Sequence, residues 1–264
     1  MPSLFLVFLF FTSVLSKPYV KEQTPSSTQG LEMNFQDADG VKQSLSKFWH
    51  NSSSPVQLIQ FIYFNCPSIC SPFLNETMHS MRVLDSDLKL GVDYDLWSVS
   101  ISPKENFQLA NQKKRNYIDE LSKLITVPHP DSWHFLSSDS QSIANFTEKV
   151  GFYFDPLDSI DFNHRAIILV LDGEQRLTRY IHGPMLYPME LKTSILYAQG
   201  GILNHIQAFY LEFIYDKNEQ NGHYVLSLSG LALFWGVISV LLLGQIWLVW
   251  RTVKKVKCNK KTSA

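Results

Sequence analysis

Residues 56–72 read VQLIQFIYFNCPSICSP. The run 56–64 is almost continuously apolar, as expected of a β-strand buried on both faces. Two cysteines follow at once, with three residues between them. Beyond them, PFLNETMHSMRVLDSDL sets Phe73, Leu74, Met78, Met81 and Leu84 at helical spacing. The cysteines therefore mark the point where a core strand gives way to a helix.

Downstream, YDLWSVSI (94–101) alternates as a strand, and KENFQLANQKKRNYIDELSKLI (104–125) is a helix with a polar face. WHFLS (133–137) is a short strand or loop, and SQSIANFTEKVG (140–151) a helix closed by Gly151. AIILVLDGEQRLTRYIHG (166–183) turns at Asp172-Gly173 as a hairpin, and a helix over LYPMELKTSILYAQGG follows. Upstream, Asp39-Gly40 marks a turn between two short strands. Alternating βα units ending in an antiparallel hairpin predict an α/β, thioredoxin-like domain over 53–205, after an N-terminal extension at 17–52.

The flanks suggest an address. The chain has 264 residues and is 45% hydrophobic, enough for one full core plus appendages. Residues 1–16 are apolar from Leu4 to Leu15, with Val14 and Ser16 at the −3 and −1 positions of a cleavage site, and read as a secretory signal that lacks a basic n-region. Residues 226–250, LSLSGLALFWGVISVLLLGQIWLVW, contain no charge and are long enough to cross a bilayer. Trp247 and Trp250 suit its interface. The tail 251–264 carries Arg251, Lys254, Lys255, Lys257, Lys260 and Lys261 without an acid, which by the positive-inside rule is cytoplasmic. The expectation is a single-pass cell-membrane protein with its globular part outside the cytoplasm, on the periplasmic side in a bacterium. Between them, the aromatics of the juxtamembrane linker 206–225 suggest an interfacial segment.

Removing the tail's six positive charges from the formal net of −1 leaves about −7 on the rest. That balance argues against nucleic acid as a partner. Cys66 and Cys70 face an oxidising compartment, whereas Cys258 follows the membrane helix on the reducing side, as an unpaired tail thiol or a palmitoylation site.

Three readings of Cys66 and Cys70 stand side by side. At a helix N-terminus the macrodipole favours thiolate, hence reactivity. On helical geometry a C-x₃-C pair places both sulfurs on one face, about a turn apart, where they can meet one ion or each other. As a structural staple so short a loop contributes little, roughly 2 kcal/mol against roughly 3 for a fifteen-residue loop. A metal site needs further ligands, and among eight histidines His164, just before the strand at 166, sits where the chain re-enters the sheet. With it the set would be S₂N, which suits Cu(I), and Cu(II) with one more oxygen or nitrogen donor. The competing reading of His164 is a solvated or hydrogen-bonded loop residue. Met78 and Met81 read as core, NQKKR (111–115) as a solvated helix face, and Asn51, Asn75 and Asn145 open glycosylation sequons.

The stretches YFNCPSIC, WSVSISPKENFQLANQKKRNYI, WHFLSSDSQSIANFTEKVGFYFD and FNHRAIILVLDGEQRLTRYIHG, in that order, resemble successive motifs of the Sco/SenC family of copper-binding, thioredoxin-like proteins. The resemblance implies copper ligation by Cys66, Cys70 and His164. It also implies a role as copper chaperone or assembly factor for the CuA site of cytochrome c oxidase, with an oxidase subunit or another copper or thiol client as partner. The alternative role it implies is a thiol-disulfide oxidoreductase acting on a partner's cysteines, with Cys66 attacking and Cys70 resolving. Two departures stand out. Ser71 separates Cys70 from Pro72, which shifts the helix start, and Ser102 replaces an acidic residue, which removes a charge near the site. A peroxidase and an inert disulfide-bearing ectodomain are the remaining readings, the first without a recognisable peroxidatic motif.

Overall fold

The computed structural model describes residues 33–52, 54–125, 130–156, 162–217 and 224–262. The expected signal at 1–16 lies outside the described residues. In chain order the elements are β1 (Asn34–Gln36), β2 (Lys42–Ser44), α1 (Leu45–Asn51), β3 (Gln57–Ile62), α2 (Cys70–Leu84), β4 (Asp95–Ser100), α3 (Phe107–Ser122), β5 (Trp133–Ser138) and α4 (Ser140–Lys149). They continue with β6 (Asp155–Pro156), β7 (Phe162–Asn163), β8 (Ile167–Leu171), β9 (Leu177–His182), α5 (Pro188–Gln199), α6 (Ile202–Ile214), β10 (Tyr215–Lys217), β11 (Tyr224–Leu226) and α7 (Leu228–Thr262).

Seven strands form one sheet in the order β2-β1-β5-β4-β3-β8-β9. The middle three, β5, β4 and β3, are parallel, with α2 and α3 as crossovers, and β8 and β9 close one side as an antiparallel hairpin. The α/β reading with a late hairpin holds, and WHFLS is a true strand. On the other side β1 pairs antiparallel with β2 and with β5, so residues 34–44 complete the sheet. Their turn is the expected one: Asp37 Oδ1 accepts from the N–H groups of Asp39 and Val41, and Gly40 takes φ +86°, a left-handed conformation that favours glycine.

Every residue of β3 and β4 is buried, which explains the unbroken apolar run. Two glutamines interrupt that run, and both are satisfied across the sheet. Trp97 Nε1 donates to Gln57 Oε1 at 2.6 Å, while Gln60 Nε2 donates to Ser98 Oγ at 2.7 Å and Thr77 Oγ1 to Gln60 Oε1 at 3.1 Å. Buried amides paired in this way fix strand register at little cost. Phe61 stacks on Phe152 at 4.3 Å between ring centroids, so the loop after α4 is seated on the central strand. Met81 is buried and Met78 packs against the core, as their spacing predicts.

Candidate metal and thiol site

The site lies beyond the C-terminal end of β3, the end of an open α/β sheet at which ligands usually bind. The chain leaves β3 through Tyr63, Phe64 and Asn65, and that exit is clamped from a distance. Glu105, just ahead of α3, accepts hydrogen bonds from Phe64 N–H at 2.7 Å and Asn65 N–H at 2.8 Å, and from Ser100 Oγ at 2.6 Å. Its carboxylate is buried and holds the backbone directly before Cys66. Ser102 is buried too and lies in the same loop, so this loop does carry an acid close to the site, at Glu105 rather than at 102. Sequence reasoning did not single out Glu105, because an acid in a polar helix lead-in carries no sign of a partner forty residues away.

Cys66 and Cys70 do not share a helical turn, contrary to the spacing argument. Helix α2 starts at Cys70, with Ile69 as its N-cap, and Pro72 falls in its first turn. Cys66 stays in the preceding loop, where its N–H donates to Tyr63 O at 3.2 Å. Its sulfur instead accepts the N–H of Cys70 at 3.3 Å, filling the position of the missing N-cap side chain. The helix terminus thus acts on Cys66 even though Cys66 lies outside the helix.

Both cysteines are free; Cys70 is buried and Cys66 half-exposed. The hydrogen bond from the Cys70 thiol pulls Cys66 down to about 4 against the opposing effect of burial, with smaller help from the Tyr63 hydroxyl and the N–H groups of Cys70 and Ser68. Cys70 moves the opposite way, because it shares its proton with Cys66 and because it is buried. The pair therefore divides its labour: a half-exposed thiolate on Cys66 and a retained proton on Cys70.

His164 reaches the site from the other side of β3. The small ribbon of β6 and β7 sets its approach, with Phe162 packed edge-on against Tyr63 at 5.3 Å. The rings of Tyr63 and Phe152 flank the imidazole at 5.9 and 6.2 Å. Its Nδ1 lies 3.1 Å from Arg165 O. A carbonyl only accepts, so Nδ1 carries the hydrogen and Nε2 presents a lone pair. Nε2 stands 3.9 Å from Cys70 Sγ. Two donors at about 2.3 and 2.0 Å from one ion, 120° apart, are about 3.7 Å from each other, so this separation fits a shared ion. Among the described residues no three Cys, His, Asp or Glu side chains are gathered into a closed coordination sphere. Cys66, Cys70 and His164 are joined in pairs through Cys70, which is buried, while Cys66 and His164 are both half-buried.

Next to His164, Gly183 donates its N–H to Ala166 O at 2.8 Å. A Cβ there would lie 2.9 Å from Phe73 Cε2 and 3.0 Å from Ala166 Cβ, so this glycine permits close packing between α2 and the strand that follows His164.

A second histidine cluster lies at the opposite end of the sheet. His134 stacks on Trp97 at 3.6 Å, and its Nε2 is 3.6 Å from Asp95 Oδ2, too long for a hydrogen bond. Burial lowers His134 from its ordinary 6.5, with Asp95 opposing. Asp95 is lowered in turn: burial alone would raise it, but its neighbours outweigh that, among them the Ser52 and Ser54 hydroxyls at 2.6 and 2.7 Å.

The fold and the thiol-imidazole grouping define a thioredoxin-like α/β protein with paired cysteines and an approaching histidine beyond the end of a central strand. The SCO1/SenC family model matches residues 29–195, well over half of the chain and inclusive of all three residues, and the chain belongs to that family. Its fold is similar to that of a putative electron transfer protein from Aquifex aeolicus, at 18% identity, 66% of this chain, 94% of that one and a TM-score of 0.54. A SCO1/SenC family lipoprotein from Bacillus anthracis matches at 14% identity, over 68% and 100% of the two chains, with a TM-score of 0.51. Arabidopsis thaliana ScoI, solved with copper bound, matches at 16% identity over 57% and 85%, with a TM-score of 0.45. No curated protein matches the chain significantly.

Proposed function

We propose that this chain takes up one copper ion as cargo on Cys66, Cys70 and His164 and passes it to a client, the CuA site of cytochrome c oxidase. The observation that carries the reading is the 3.9 Å approach of His164 Nε2 to Cys70 Sγ, with the sulfur of Cys66 held at the Cys70 N–H. Two soft sulfurs and one imidazole nitrogen suit Cu(I). Membership of the SCO1/SenC family, in which this ligand set is expected, supports it.

Transfer to a reduced client is ligand exchange, the client's own thiolates replacing Cys66, Cys70 and His164 around the ion with no change of oxidation state. Where a partner disulfide instead takes two electrons from Cys66 and Cys70, the disulfide they form no longer offers thiolate ligands, so copper binding and redox state are linked. The asymmetry of the two cysteines favours a second reading as well, a thiol-disulfide reductase. The Cys66 thiolate attacks a partner disulfide, forming a mixed disulfide and expelling one partner thiolate. Cys70 then gives up its proton to that thiolate and attacks Cys66 Sγ, which releases the second partner sulfur and leaves a Cys66–Cys70 disulfide. Two electrons pass to the partner.

The same proposal includes the address. The 24 residues Leu228–Arg251 are long and apolar enough to cross a membrane, and the most apolar stretch of 18 among them is not buried inside the protein. We read 226–250 as the span, 251–264 as the cytoplasmic tail and the domain as lying outside the cytoplasm. Incubating the Cu(I)-loaded full chain with a reduced CuA domain tests delivery: copper transfer is expected. Reduction of an oxidised CuA domain by the metal-free chain, with no copper transfer, would replace delivery by the reductase reading.

A further inference from the structure

Helix α6 follows α5 through Gly200 and Gly201, both at positive φ, and has no charged residue before Glu212. One side of it is fixed to the domain. Ala208 is buried and Leu211 packs against the core. Glu212 accepts from Arg179 Nη1 and from the Tyr197 hydroxyl, each at 3.0 Å, and Asn204 Nδ2 donates to Gln199 Oε1 at 3.3 Å.

Among the described residues, the opposite side makes no comparable polar contact with the domain. At about 100° per residue, Ile202, Leu203, Ile206, Phe209, Tyr210 and Phe213 fill a sector of about 120°, roughly opposite Ala208 and Leu211. Ile202 is 79% exposed, Leu203 81%, Ile206 59% and Phe209 65%. A continuous apolar sector of this kind on a helix that is already seated marks an interaction surface.

What covers it is indicated by where it leads. Strands β10 and β11 pair as a short ribbon and return the chain to the end of α6, where Ser227 N–H donates to Ile214 O at 2.8 Å. Ser227 Oγ accepts from Gly230 N–H at 3.1 Å and caps α7. A Cβ on Gly230 would collide with the Phe213 carbonyl oxygen, so the first turn of α7 sits directly on the end of α6. One turn further, Phe234 of α7 meets Tyr210 edge-on at 5.2 Å. The outward face of α6 is thus continuous with the apolar surface of α7.

We propose that α6 lies in the lipid headgroup and upper acyl region of the bilayer, its outward face in lipid and its inner face carrying the domain. This rests on the reading of α7 as the membrane span. With a lipid-seated helix between domain and span, the domain is held on the membrane surface at a fixed orientation and does not swing on a tether.

The test uses the full chain, with Cys66, Cys70 and Cys258 changed to serine, in phosphatidylcholine/phosphatidylglycerol vesicles. Single spin labels are placed through Leu203→Cys, Ile206→Cys, Phe209→Cys and, as an exposed control on α3, Arg115→Cys. Accessibility to oxygen, which partitions into lipid, is compared with that to a water-soluble nickel chelate. The expected result is an oxygen-to-nickel ratio several-fold higher at 203, 206 and 209 than at 115. Labels open to nickel would overturn the proposal and leave the anchor standing, provided alkaline carbonate fails to extract the chain. Labels shielded from both reagents would overturn it in favour of a protein partner on this face. Extraction by carbonate would remove the anchor and the proposal together.

Discussion

Replacing Glu105 by glutamine keeps the size of the side chain and removes its charge, and one of its two oxygens becomes an NH₂ group. Both oxygens now accept from N–H groups of the loop before Cys66. Whichever is replaced, a donor is set against a donor, and either the Phe64 or the Asn65 N–H loses its acceptor. A hydrogen bond to a charged group contributes about 1.5–3 kcal/mol, and a buried orphaned donor costs about 1–3 kcal/mol. A loss of about 3 kcal/mol is therefore expected for Glu105→Gln. For a domain of this size that is a fall in Tm of roughly 6–12 °C. Because the same loop presents Cys66, Cu(I) affinity falls as well, by about tenfold or more, the range seen when groups supporting metal ligands are removed. Thermal unfolding followed by circular dichroism and Cu(I) competition with a chromophoric chelator, both on the full chain in detergent, measure the two effects. A variant melting within about 2 °C of the parent refutes the clamp. One that melts low yet binds Cu(I) as the parent does refutes the link from clamp to site.

Gly183→Ala brings a methyl group against Phe73 and Ala166, and is expected to cost about 1–3 kcal/mol in urea unfolding, as overpacking does; parent-like stability would show that the α2–β8 contact yields freely. Because Cys66 is held down to about 4, its alkylation by iodoacetamide should stay nearly constant from pH 8 to about 5, whereas an ordinary thiol slows tenfold per unit below about 8.5. A Cys70→Ser variant, without the thiol that donates to Cys66, should recover much of that slowing. His134 is buried with its proton affinity lowered, so as pH falls below 6.5 the unfolded chain takes up the proton first, and this contribution to stability is lost below 6.5. His134→Gln should flatten the stability curve below pH 6.5, and an unchanged slope would assign that titration to another group.

What the sequence discloses here depends on how local the determinant is. The run at 56–64 reads as a buried strand because each residue reports its own environment, and the hairpin at 172–173 reads from its turn residues. Gln57 and Gln60 look out of place in that run until Trp97, Ser98 and Thr77 come alongside. Cys66 and Cys70 were legible as a pair but not as a geometry. Spacing alone suggested one helical turn, whereas the tight turn at Tyr63–Cys66 holds Cys66 out of the helix and makes its sulfur the cap. His164 was identifiable through family resemblance and its place before β8, yet its proximity to Cys70 depends on the packing of Phe162, Tyr63 and Phe152. Glu105 had no local signature, since the two backbone N–H groups it clamps lie about forty residues upstream.

The central claim is that Cys66, Cys70 and His164 act as one ligand set, and titration of the fully reduced full chain with Cu(I) against a competing chelator tests it most directly. One tightly bound copper is predicted for the parent chain, with affinity lost in Cys66→Ser and Cys70→Ser and sharply reduced in His164→Ala. Absence of tight copper in the parent, or parent-like affinity in His164→Ala, would contradict the account.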